Sequence, residues 1–487
     1  MAPASSARWM QMHRHLFGDR PLSELCIPGS HDAGTSRRSF GTTFGTESNV
    51  LTQIKSIFDQ LELGVRRLDI RPMLANPSGE TVTSWSCGHY TGEAEGKIGW
   101  QGANCVPIKE VVDDLNRFTK DNAELVIVDI SHVYRIFINN PISSTKGSPS
   151  LSEWQDLFKL LAGINNRFTL ERSGGVRDKP FQDYNLNQFI GNNQAAVVVL
   201  VDEYSGHDEI FQNGCWPAYM TNGQPYLGLG GASVTRMQST GDAIGSTFSL
   251  LQVFGPEYNS DSVLSLSKKE QDKQFPWLLQ QLASEGYPAV IYMDRIQNVD
   301  LLTFCLAVGY QRYNMAKGLH SKVVVYGGAL VTDQDAHNAI QHAIDNGGSF
   351  AATNSSLRCD PWQGMTKSCA VFYEQDGIIK GRWAQENFGL HFELDVISVT
   401  YGPRQIRDQA VYLRLLKAIA QRQGFVVNND SLGGDPQNGV RKTCIIRFRD
   451  MNDSKVREEK AEEGEYIDFE TWVEKLGKAV ASGHRWV

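Results

Sequence analysis

A chain of 487 residues is longer than one ordinary core can organise, so two or three domains are expected. With 41% apolar residues, 21% charged residues and a net charge of -8, the composition is that of a folded globular protein. It excludes nucleic acid as a partner class, which needs concentrated Lys and Arg, and no stretch reaches the roughly 20 apolar residues of a membrane-spanning helix.

The N-terminal stretch, MAPASSARWMQMHRHLFGDRP, lacks the apolar segment of a secretory signal. A cytoplasmic location is therefore expected, with secretion left open. Eight thinly spread cysteines then read as free thiols, and only export would favour a bond between Cys87 and Cys105. The run Leu25-Cys26-Ile27 reads as a first strand. It breaks at Pro28-Gly29 and at once presents His31 and Asp32.

Further strands are expected over 64–74, 81–90, 124–134, 195–204, 246–255 and 288–296. Helical patterns lie between them. In 49–64, Val50, Ile54, Ile57, Phe58 and Leu61 share a face and Gly64 follows the end; in 105–118, Pro107 suits a first turn. Val- and Ile-rich strands separated by helices favour a parallel sheet, and about seven of them fit a TIM-like (β/α) barrel over 1–319.

The last third carries an internal repeat. Residues 349–373 match 424–448 at nine of 25 positions without a gap, and the same offset of 75 aligns Tyr326-Gly327 with Tyr401-Gly402. Two small β-rich (α+β) modules are expected, 320–395 and 396–487. The charged run 455–466 reads as a solvated face.

Side chains at i and i+2 of a strand point the same way, so Asp69 and Arg71 share a face. His89 and Asp294 stand near the ends of their expected strands. With His31 and Asp32 they gather at the C-terminal mouth of a barrel, where such enzymes keep their catalytic groups. Taken singly, each has a structural reading: a capping histidine, a buried ion pair, a capping carboxylate. At one rim they form an acid–base set with an anion clamp.

IPGSHDAGT, then QLELGVRRLDIRP, CGHY and ELVIVDISH, in this order, resemble the X-domain of phosphatidylinositol-specific phospholipase C over about 1–315. Metal-dependent members carry His-Asn at the first site and calcium-holding acidic residues on strand two. This chain has His31-Asp32, and Arg71 stands where a calcium ligand would, as in the bacterial-type branch. The resemblance implies a metal- and cofactor-independent phosphoric diester hydrolase or lyase. His31 would be general base, oriented by Asp294. His89 would be general acid, supported by Asp69, and Arg71, assisted by Asp32, would clamp the phosphoryl group. Attack by a hydroxyl of the substrate itself would give a cyclic phosphate.

Substrate-binding positions implied by the same resemblance are Ser131, His132, Glu203 and Tyr204. Glu203 replaces a basic residue before Tyr-Ser-Gly, and Ser131-His132 replaces lysines. The substrate is thus expected to be a phospholipid or polyol phosphodiester of altered head group. A specialised metabolite, or a silent lipid- or sugar-binding scaffold, is the alternative. GLGGAS (227–232) reads as a plain glycine-rich loop. Segment 213–220, with Trp216 and Tyr219, either touches a lipid interface peripherally or packs inward.

Overall fold

The computed structural model describes residues 4–76, 84–92, 99–177, 179–218, 247–250, 262–285, 287–375, 377–392, 396–408, 411–412, 414–416, 418, 424–449 and 456–468. Its centre is a seven-stranded sheet of β1 (Ile27–Ser30), β2 (Arg67–Ile70), β3 (Leu125–Ile130), β4 (Ala196–Val201), β5 (Trp216–Pro217), β6 (Thr247–Leu250) and β7 (Val290–Met293). The spatial order is β5-β4-β3-β2-β1-β7-β6. Every pairing is parallel. Apolar side chains on both faces explain the Val- and Leu-rich sequence: all six residues of β4 are buried. Among the described residues β5 and β6 stay unpaired to each other, so what is seen of the expected barrel is its parallel sheet.

Register puts Gly29, Arg67, Asp69, Asp129 and Tyr292 on one face, since paired residues of parallel strands point the same way. They form a polar layer beneath the strand ends. Arg67 grips Asp129 with two hydrogen bonds of 2.6 and 3.0 Å, and Tyr292 donates to the same carboxylate at 2.7 Å. Gly29 is required here, because a Cβ would lie 2.8 Å from the Tyr292 ring.

Segment 81–90 departs from expectation. Ser84–Thr91 belongs to a second, five-stranded sheet, between Gln101–Pro107 and Pro72–Asn76, and not to the parallel one. The expected helix over 49–64 is also interrupted. Glu47–Val50 and Ile57–Glu62 are helical, residues 51–56 are not, and Ile54 is exposed. Ile108–Asp121 is helical as read, with Pro107 as its N-cap. Segment 213–220 packs inward at Trp216, which pairs in β5, is fully buried against Phe168, Phe181 and Phe211, and donates its indole N–H to the Phe168 carbonyl. Tyr219, 227–232 and 251–255 lie outside the described residues.

Helices Val263–Glu285 and Asp300–Ala316 carry the first repeat on the sheet domain. Ser368 donates to Asp300 at 2.5 Å and Gly328 N–H to Thr303 at 3.0 Å, while Val323, Val325, Ala370 and Phe372 join the main core. Strands Val323–Tyr326, Ala329–Leu330, Ser368–Gln375 and Ile378–Gln385 form one four-stranded sheet; Val396–Tyr401, Arg404–Ile406, Thr443–Arg449 and Val456–Glu462 form another of the same order. Each is accompanied by a two-stranded sheet.

The shared Asp-Pro-x-x-Gly-x-x-Lys pattern has a structural cause. Lys367 is buried and donates to the Trp362 and Met365 carbonyls at 3.1 and 2.9 Å, beside Asp360 and Glu386. Lys442, 75 residues on, does the same with Gln437 and Val440, beside Asp435 and Glu463. Each loop folds around its own lysine. Asn354 and Asn429, 75 residues apart, accept from Tyr326 and Tyr401 at 2.8 and 3.0 Å. All eight cysteines are free thiols, Cys87 and Cys105 both buried. Among the described residues, no helix is long and apolar enough to cross a membrane.

Candidate active site

Four strands leave the parallel sheet in the same way. The second residue beyond each of β1, β3, β4 and β7 has a left-handed backbone: Asp32 (φ 44°), His132 (φ 52°), Glu203 (φ 64°) and Arg295 (φ 53°). Such backbones are uncommon outside glycine and concentrate at functional sites. The turn leaves the preceding residue, His31, Ser131, Asp202 or Asp294, at the strand end. Among the strands whose following residues are described, β2 is the exception. Arg71 is followed by Pro72, whose ring fixes φ near -65° and forbids the turn, so the chain runs straight into the five-stranded sheet. The antiparallel return, Pro72 against Cys87 with Gly88 N–H on the Arg71 carbonyl at 3.0 Å, sets His89 beside Arg71.

Arg71 is the hub. Its Nε lies 2.6 Å from Asp32 Oδ1, and its Nη2 lies 2.9 Å from Asp69 Oδ2 and 2.8 Å from His31 Nε2. The other ring nitrogen of His31, Nδ1, is 2.7 Å from Asp294 Oδ1. An arginine only donates, so the Arg71 contact requires His31 Nε2 to be bare and Nδ1–H to face Asp294. His89 Nδ1 stands 3.2 Å from Asp32 Oδ2. Asp32 therefore sits between the guanidinium and the second imidazole. The support expected for His89 from Asp69 is corrected to Asp32; Asp69 serves Arg71, and its Oδ1 accepts from Ser131 at 2.9 Å.

Asp32 and Asp69 side chains are wholly buried, and His31 is nearly so at 4% exposure, whereas Arg71 and His89 keep 17% and 25% of their side chains exposed. The arginine and His89 are therefore the members of the cluster most open to solvent. Burial alone would lower the His31 pKa, but Asp32 and Asp294 outweigh it and hold the imidazole above its ordinary 6.5. Burial would raise Asp32, but Arg71 and His31 hold its carboxyl well below the usual range. His132 is pushed down by burial and by Arg71, so it is neutral near pH 7.

His31, Asp32 and Asp69 offer ligand atoms within 4.8 Å of one another, a spacing that suits a metal ion. Each of the three is instead bonded to Arg71. The guanidinium stands where a bound cation would stand.

His31, Asp32, Asp69, Arg71, His89 and Asp294 are thus in one connected cluster. Ser131 joins it through Asp69, and His132 joins through Ser131 at 3.0 Å. Glu203 accepts from Val133 N–H at 2.9 Å on the adjoining rim. Tyr204 faces elsewhere: its ring packs on Trp154 and Phe158 and its hydroxyl donates to Glu209. Two buried residues not singled out in the sequence hold the cluster's loops. Gln271 donates to the Asp294 carbonyl at 2.7 Å, and Gln53 reaches both the His31 and the Asp294 loops. The only sequence signal for Gln53 is a glutamine inside an apolar helical pattern, and Gln271, in the polar run 268–274, has none.

No family model matches the chain, and no curated protein matches it. Solved structures of phosphatidylinositol-specific phospholipase C do resemble it distantly. One from Staphylococcus aureus is 12% identical, with 62% of this chain and 98% of that chain covered and a TM-score of 0.39. The enzyme from Listeria monocytogenes is 15% identical over 62% and 98%, with a TM-score of 0.38. A further Staphylococcus aureus structure is 16% identical over 59% and 76%, with a TM-score of 0.33.

Proposed function

We propose that this chain cleaves phosphodiesters as a metal-independent phospholipase C-like enzyme, with His31 as general base, His89 as general acid and Arg71 as phosphoryl clamp. One observation carries the proposal: Arg71 and both imidazoles meet at Asp32, with His31 Nδ1 held at 2.7 Å by Asp294. A binding scaffold has no need of two imidazoles placed around one guanidinium.

A phosphodiester already carries a negative charge, so the incoming anion draws the Arg71 guanidinium toward its non-bridging oxygens. That frees His31 Nε2, which removes the proton of a substrate hydroxyl next to the phosphorus. The resulting oxygen attacks phosphorus and the bond to the leaving oxygen breaks. His89, its Nδ1 side facing Asp32, gives a proton to that oxygen from the other nitrogen. Asp294 stabilises the imidazolium formed on His31, as a carboxylate does in a triad. The products are an alcohol and a cyclic phosphate. The positive charge of Arg71 offsets the charge that grows on the phosphoryl oxygens.

The substrate class is a phospholipid or polyol phosphodiester. Ser131, neutral His132 and Glu203 would line the head-group side, with hydrogen-bonding and anionic groups where the family carries basic residues. The test incubates the full chain and EDTA with phosphatidylinositol and a panel of polyol phosphodiesters. Turnover that survives chelation and is lost in both His31→Ala and His89→Ala supports the proposal. Turnover that requires calcium, or that persists in either variant, overturns it.

A further inference from the structure

The interruption of the helix at 51–56 has a counterpart at the active site. Gln53 is fully buried, and its Nε2 donates to the His31 carbonyl at 2.8 Å and to the Met293 carbonyl at 3.1 Å. Its Oε1 accepts from Ile296 N–H at 3.0 Å. One amide therefore spans the loop that carries His31 and the loop that carries Asp294. The neighbouring Thr52 strengthens the same bridge: its carbonyl accepts from Arg295 N–H at 2.7 Å, and its hydroxyl bonds Thr35 at 2.5 Å. Thr35 in turn donates to the Asp32 carbonyl at 2.7 Å.

A continued helix would turn the backbone of 52 and 53 inward on itself. The contacts to β1 and β7 would then be lost, and four backbone groups, the His31 and Met293 carbonyls and the Arg295 and Ile296 N–H, would lose these partners. Local helix periodicity yields to this demand. A position where local pattern and tertiary structure disagree is where function is expected to reside.

We infer that Gln53 is a positioning residue of the proposed active site, the brace that sets the separation of His31 and Asp294. The inference rests on the acid–base reading of these residues, but its primary readout needs no substrate. Asp294 is one of the two carboxylates that raise the His31 pKa. Loosening the brace weakens that pull.

The experiment follows the His31 imidazole of the full chain by nitrogen-15 NMR through a pH titration, in wild type, Gln53→Met, Gln53→Asn and Leu115→Ala. Gln53→Met keeps the length and loses every hydrogen bond. Gln53→Asn keeps the amide but is one methylene too short to span both loops. Leu115→Ala is a general core lesion, at a fully buried leucine of the helix Ile108–Asp121. Both Gln53 variants should lower the His31 pKa, whereas Leu115→Ala should leave it unchanged. With an active substrate, kcat in the Gln53 variants should fall by about 10- to 100-fold with KM little altered, as expected of a misplaced catalytic group. A His31 titration in folded Gln53→Met within about 0.3 unit of wild type overturns the inference, as does an equal shift in Leu115→Ala.

If Gln53→Met does not fold, wild type supplies the answer. The Gln53 side-chain amide protons should move with the same midpoint as His31, and shifts that stay flat through that titration sink the idea. Absence of turnover by wild type would overturn the function instead, leaving the NMR result to stand on its own.

Discussion

Replacing Arg71 by alanine tests the claim that a guanidinium occupies a cation position. The substitution removes the charge that lies 2.6 Å from Asp32 and 2.9 Å from Asp69, both wholly buried. Breaking a buried pair by removing one partner costs about 3–5 kcal/mol, because the remaining charge stays buried. At roughly 2–4 °C per kcal/mol for a domain of 150–250 residues, the midpoint of the sheet domain should fall by several degrees at least. The vacated position keeps one imidazole and two carboxylates within 4.8 Å, a donor set suited to manganese or zinc. Either ion, at about 100 times its dissociation constant, should restore about 2.7 kcal/mol. Differential scanning calorimetry with and without the ion reads both effects, and wild type should be indifferent to it. An Arg71→Ala protein as stable as wild type, or one that no divalent ion stabilises, would refute the reasoning.

Three further expectations follow from the same geometry. His31 must be neutral to act as base and its pKa is raised, so the acid limb of kcat/KM should have its midpoint above 6.5, moving down in Asp294→Asn; a pH–rate series checks this. Asp32 has a depressed pKa, so its contribution to stability is present above the unfolded value, near 3.9, and is lost as pH falls below it; Asp32→Asn should flatten the acid side of a stability-versus-pH curve. Lys367→Met removes the ammonium around which 360–366 folds and should cost about 1–3 kcal/mol in denaturant unfolding, since its partners are partly hydrated; an unchanged transition would show that the loop holds without it.

Much of the site could be read from the chain because strand geometry is local. Asp69 and Arg71 share a face by alternation alone, and Asp294 follows β7 directly; the break expected at Pro28-Gly29 falls instead inside β1, Ile27–Ser30, and the chain turns at Asp32. His89 was legible as a site residue but not in its sheet. A returning antiparallel strand alternates like any other, and periodicity does not say with which strand it pairs. That hidden pairing is also why Asp32, not Asp69, proves to be its partner. Helical periodicity at 50–61 was real for Ile57 and Leu61 and failed at Thr52 and Gln53, whose bonding partners lie on strands far away in sequence. Trp216 left two readings open because exposure depends on Phe168, Phe181 and Phe211, which no local window contains. The repeated Asp-Pro-x-x-Gly-x-x-Lys marked a recurring unit. Its meaning, a lysine donating to carbonyls of its own loop, needed coordinates.

The sharpest test of the proposed chemistry is the origin of the new oxygen on phosphorus. The full chain is given phosphatidylinositol, or whichever diester of the panel it turns over, in oxygen-18 water, and the first product is followed by phosphorus-31 NMR. Attack by the substrate's own hydroxyl predicts a cyclic phosphate without label, with label entering only on later ring opening. Label in the earliest product, with no cyclic species at any time, would contradict it.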